Sequence, residues 1–250
     1  MITYAFLGII TLVVSGIYAS FCYLAFDPKQ LYDDYLKRMQ DGDESSQSTY
    51  FGGLMSGLFN LVIIFIVVMS SITLMKMNIV RGMPKLGDFT DIVVASLISV
   101  FVVVGFTMAA VRMLPIMGRA FENTIGYFVI DKFGGLEENA KALFTNSAGS
   151  DIKYGVLATK MFDSEFFGFL EKMKNEETSP VKGIYLKKEV LEFDGKLKTD
   201  AEDTNPVYQL FKQVALKHSI SEATWISLAT VVSLFSGFIM IQYSGIRKKL

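Results

Sequence analysis

The chain has 250 residues, 51% of them hydrophobic, with a formal net charge of −1 from 24 basic and 25 acidic side chains. A mean hydropathy of +0.39 is too apolar for an ordinary soluble domain that still carries this many charges, so the apolar excess must be concentrated locally. Near-neutrality without a basic stripe argues against a nucleic-acid partner, and with Cys22 and His218 the sole cysteine and histidine, neither a disulfide framework nor a Cys/His metal site can be assembled within one chain.

Four windows contain no Asp, Glu, Lys, Arg or His: Met1–Phe26, Ser45–Met75, Ile92–Val111 and Ala223–Ile246. Each reaches the roughly 20 helical residues needed to cross a hydrocarbon core of about 30 Å. A chain this short has too little other material to bury four uniformly apolar helices, so the expected fold class is mainly α: an integral membrane four-helix protein with one α-rich soluble domain between helices 3 and 4. The expected crossings are 1–26, 52–75, 92–111 and 223–246. The first lacks a basic n-region and an A-x-A cleavage site, which reads as an uncleaved anchor rather than a signal peptide.

In chain order, Asp27-Pro28 reads as the N-cap and first residue of a helix to about Gln40. Its face of Leu31, Tyr35 and Met39, with Tyr32 and Leu36 beside it, suits either the membrane interface or the larger domain. The rest of the 27–51 loop is acidic and Ser-rich. The connector 76–91, with Gly82, Pro84 and Gly87, joins two antiparallel crossings. Four crossings put both termini and this connector on one side, and residues 27–51 and 112–222 on the other. Lys76, Arg81, Lys85 and the basic tail 247–250 favour the cytosol for the first side, while Arg112 and Arg119 pull the other way.

The soluble domain, 112–222, opens with helical spacing of Phe121, Ile125, Phe128 and Val129 over 119–133, continuing from the third crossing through a kink at Pro115 and stopped by Gly134-Gly135. Further helices are expected at 136–144 and 164–174, the latter burying Phe166, Phe167, Leu170 and Met173. Ile184, Leu186, Val190, Leu191 and Phe193 around Asp194-Gly195 suit one or two short strands or a small β-hairpin. A last amphipathic helix starts at Pro206, marked by Val207, Leu210, Phe211 and Val214, and leads into the fourth crossing.

Candidate helix-packing residues are Gly53 and Gly57 in a G-x-x-x-G, Asn60, and Ser233 with Gly237 as its small-residue equivalent. No crossing contains an ionisable residue, which argues against proton relays and charge-coupled transport. Hydrolase and nucleotide-binding signatures are missing, and the acid pairs Glu137-Glu138 and Glu176-Glu177 sit in polar, solvated contexts, so no catalytic residue, cofactor or metal site is nominated.

The layout of a short first loop, a small second connector and a large third loop is similar to the tetraspanins in topology alone, since the large loop lacks their Cys-Cys-Gly motif and disulfide cysteines. The stretch RAFENTIGYF, Arg119–Phe128, in a cysteine-poor chain without an N-glycosylation acceptor, resembles membrane-spanning minor structural proteins of large icosahedral DNA viruses. That resemblance covers about a tenth of the chain. It implies a non-enzymatic scaffold in a virion inner membrane, linking bilayer to capsid shell, and nominates Arg119, Phe121, Ile125, Tyr127 and Phe128 as a partner or membrane-surface contact. The expected partners are the lipid bilayer and a coat or shell protein or copies of the chain. The alternative is a homo-oligomeric pore or transport subunit lined by Asn60, Thr107 and serines.

Overall fold

A computed structural model describes residues 28–41, 62–66, 68–69, 89–146, 155–181, 183–192 and 197–247. The first expected crossing, most of the second with Gly53, Gly57 and Asn60, the loop 42–51, most of the connector 76–91, the Asp194-Gly195 turn and residues 248–250 lie outside the described residues. Among the described residues the fold is mainly helical, with one small two-stranded sheet. It divides into two compact units, one holding Pro28–Asp41 and Gly118–Ser221, the other the described residues of 62–117 and those from Glu222 onward.

In the second of these units, α2 (Phe89–Ser99), a π-helical stretch π1 (Val100–Gly105) and α3 (Phe106–Met113) run in succession. Among the described residues, two helices are long and apolar enough to cross a membrane: Thr90–Val111, with mean hydropathy 2.6, and Pro206–Ile241, with 1.9. Ile64 and Val68 join Ile92, Val100, Val104, Ile226, Leu234 and Ile241 in one apolar cluster. The π turn was not expected from sequence; its wider winding keeps Val100 and Val104, four residues apart, on the buried side.

The polarity of this unit is inverted relative to a water-soluble bundle. Ser96, Ser99, Thr230 and Ser233 are buried, whereas Val94, Phe101, Val102, Phe106, Val232 and Ile239 face outward. Ser233 donates to Ser99 Oγ at 3.2 Å and Ser99 donates to the Ser96 carbonyl at 3.1 Å. Small hydroxylated residues at the helix contacts with bulky apolar residues outside are what helices packed in lipid require.

The helix breaks before Pro115. Leu114 adopts φ −116°, ψ 95°, because the proline ring expels its predecessor from the helical region, and a short α4 (Pro115–Gly118) follows. The expected kinked continuation is therefore corrected to a break.

In the other unit, α1 (Pro28–Asp41), π2 (Glu122–Gly126), α5 (Tyr127–Phe133), α6 (Leu136–Leu143), α7 (Gly155–Lys160) and α8 (Phe166–Lys172) surround the first four turns of α9 (Pro206–Arg247). Tyr32 of α1 is wholly buried, its ring 5.1 Å from those of Tyr208 and Phe211 and 5.2 Å from that of Phe167, all edge-on. Leu31, Tyr35 and Leu36 pack beside it. Of the two placements open to this amphipathic helix, the domain core is the one observed.

Strand β1 (Phe144–Asn146) pairs antiparallel with β2 (Ile184–Leu186), Phe144 opposite Leu186. The turn of the hairpin expected about Asp194-Gly195 lies outside the described residues, and an isolated antiparallel bridge, Leu191 to Leu197, joins the residues that flank it. Val190 belongs to a 3-10 turn and not to a strand. The pairing was unreadable because β1 is a three-residue extension of the helix that precedes it. α9 starts as expected at Pro206, where Asn205 Oδ1 accepts the Val207 N–H at 2.9 Å.

Candidate functional site

The stretch with the expected contact residues does not bury the face its apolar spacing suggests. Glu122, Gly126 and Ile130, at a stride of four, are buried, while Ile125 and Phe128 are 44% and 57% exposed and Phe121 and Tyr127 half-buried. Arg119 turns towards the domain: it bonds Glu165 Oε1 at 2.9 Å and stacks over the Phe162 ring at 4.1 Å.

The buried face meets α9 in a charged cluster. Lys217 and Glu122 side chains are both fully enclosed, Nζ lying 3.7 Å from Glu122 Oε2. Lys217 Nζ donates to the carbonyls of Met161 at 2.7 Å and Ala158 at 2.8 Å, and to Asn123 Oδ1 at 3.3 Å, so its donors are satisfied. His218 Nδ1 lies 2.6 Å from Glu122 Oε1. Glu122 Oε2 accepts no hydrogen bond, which leaves Lys217 as its charge partner. Asp163, buried nearby, accepts from the Tyr35 hydroxyl at 3.3 Å and so ties α1 to the same region.

Burial pushes the Lys217 amine down to about 8, against a partial pull upward from Glu122 and Asp163. Gly126 permits the close approach: a Cβ there would sit 2.6 Å from the Lys217 carbonyl oxygen and 3.0 Å from its Cγ, so any side chain would force the helices apart. Sequence reasoning missed this cluster because a lysine and a histidine on an amphipathic helix read as solvated. A signal was available, since Leu210, Val214, Lys217 and Ser221 keep the stride of three to four that defines the buried face.

Around the same helix, the Ser221 hydroxyl donates to the Gly118 carbonyl at 2.6 Å and accepts the Phe121 N–H at 3.1 Å. These bonds close the two ends of the domain on each other. In the apolar unit, Trp225 Nε1 donates to the Met117 carbonyl at 2.6 Å. Of the expected helix-packing residues, Ser233 and Gly237 lie on the buried face of α9.

Chemically, the arrangement is a locked ion pair with no exposed member at its centre. Neither the Lys217 amine nor the Glu122 carboxylate has surface through which a substrate could reach it. Among the described residues no group of acidic, histidine and cysteine side chains is placed to hold a metal ion. No protein-family model, curated protein or solved structure matches the chain.

Proposed function

We propose that the chain is a four-crossing membrane scaffold without catalytic activity, holding its α-rich domain against one face of a bilayer to dock a protein layer. The observation that carries this reading is Tyr32 in the core built from Gly118–Ser221. A residue of α1 packed in that core must share its side of the membrane, so an even number of crossings separates α1 from Gly118. The helix Thr90–Val111 supplies one, and the uncharged 52–75, whose Ile64 and Val68 pack with it, supplies the second. Ala223–Ile246 and Met1–Phe26 complete four, with both termini on the side opposite the domain, and the basic connector favours the cytosol for that side.

Closure of the domain's ends by Ser221 supports a docking role, since a domain fixed at both ends loses less freedom on joining a lattice. The resemblance of Arg119–Phe128 to minor structural proteins of large icosahedral DNA viruses makes a capsid shell lining an inner membrane the proposed layer. A shared pore draws less support: Thr107 Oγ1 donates to the Val103 carbonyl of its own helix at 2.8 Å, and Ser96, Ser99 and Ser233 are buried within a single chain. Crosslinking with mass spectrometry on the native membrane or particle, through the exposed Lys132, Lys172 and Lys188, is expected to recover a coat or shell protein. Recovery of lipid alone, or of copies of this chain alone, would overturn the scaffold reading.

A further inference from the structure

We propose that His218 and Glu122 form an acid-tightened latch: protonation of the imidazole gives the enclosed carboxylate a second cationic partner and seats π2 more firmly on α9. Both residues belong to the Gly118–Ser221 unit, so the latch stands apart from the scaffold reading and does not rest on it. His218 Nδ1 lies 2.6 Å from Glu122 Oε1, and while the carboxylate is fully enclosed, the imidazole side chain is 29% exposed and exchanges protons with solvent. An imidazolium donates from both ring nitrogens, whichever tautomer the neutral ring adopts, so protonation makes this contact a charge-assisted hydrogen bond. Gly126, one turn from Glu122, packs directly on the Lys217 backbone, and the strength of the Glu122 contact is therefore felt in how closely π2 seats.

The charges around the pair welcome that proton. α9 itself places Lys217 just before His218 and Glu222 one turn beyond it. The turn ahead of α8 brings the buried Asp163, together with Glu165, which pairs with Arg119 at 2.9 Å. Glu122, Asp163 and Arg119 all act on the Lys217 amine, so they form one electrostatic group. α7 adds Lys160, which is exposed and screened by water. Within the group the carboxylates of Glu122, Asp163 and Glu165 face two cations, Lys217 and Arg119, and a protonated His218 makes the count even. Lys217 keeps its proton below about 8, which leaves the histidine as the member that titrates in the ordinary range near about 6.5. The folded chain holds the imidazole proton against a carboxylate that the unfolded chain disperses into water. The added stability is thus fully present below the unfolded value and is lost as pH rises through the folded one.

His218 is the sole histidine of the chain, so full-length protein carrying isotope-labelled histidine in detergent micelles gives a single imidazole resonance. Its titration is followed beside amide hydrogen exchange, read by mass spectrometry and corrected for the intrinsic pH dependence of exchange. The midpoint is expected above that of a histidine peptide in the same micelles. Protection of residues 122–130 is expected to rise several-fold from pH 7.5 to pH 6 while that of α8 stays level, and in His218→Gln it is expected to stay level throughout. A rise that persists in His218→Gln, or that α8 shares equally, overturns the latch. A midpoint at or below that of the peptide overturns it in the wild type alone, so a variant that fails to fold does not decide the matter.

Discussion

Lys217→Met is expected to destabilise the protein by about 3–5 kcal/mol, because it strands the Glu122 carboxylate in a fully enclosed site where its remaining partner is His218. Adding Glu122→Gln should recover most of that loss, since a buried pair removed together leaves no uncompensated charge. Thermal unfolding and limited proteolysis of the full chain in detergent micelles measure both steps. If the single variant is as stable as the wild type, the cluster is not what joins π2 to α9. The same pair gives a pH signature. The Lys217 amine is held near 8 in the folded chain against an ordinary 10.5. Below pH 8 both states carry the proton and the burial penalty is fully present. Between 8 and 10.5 the unfolded chain binds more protons, so stability rises with pH, and above 10.5 the penalty is gone. Wild type minus Lys217→Met, followed from pH 7.5 to 10, should therefore move in favour of the wild type.

Tyr32→Ala is expected to cost about 3–5 kcal/mol, the range for emptying a large aromatic site, and to release α1 from the domain. Tyr32→Phe is expected to be neutral or stabilising. The Tyr32 hydroxyl is buried without a hydrogen-bond partner, burial and then the Asp200 charge pushing its ionisation far upward, and such an orphan costs about 1–3 kcal/mol. The ring thus holds α1 while the hydroxyl opposes it. Protease sensitivity of residues 28–41 in the three proteins checks this. A loss in Tyr32→Phe equal to that in Tyr32→Ala would mean that the hydroxyl, and not the ring, secures the helix.

The helical character of the chain, the start of α9 at Pro206, the buried set of α8 and the end of α5 at Gly134-Gly135 were legible, because each is written in local spacing, a proline or a glycine. Gly135 at φ 64° is the left-handed residue that such an ending calls for. What was not legible depends on distant chain. β2 finds its partner 40 residues upstream in Asn146↔Ile184-type pairs at widening separation, and no periodicity encodes that match. The outward turn of Ile125 and Phe128 hinges on Glu122 preferring Lys217 and His218 to water, an energetic choice invisible in a sequence where the glutamate looks solvated. The π turns belong to the same class: both keep residues four apart on one buried side, a condition set by the neighbouring helix.

On the proposed topology α1 and the domain share one face of a bilayer crossed twice between them. Single cysteines at Lys37, Lys85 and Glu176, in a Cys22→Ala background, are labelled in sealed membranes with an impermeant maleimide. Residues 37 and 176 are expected to react from the same side and 85 from the opposite side. Reaction of all three from one side would contradict it, because residues 42–117 would then not cross.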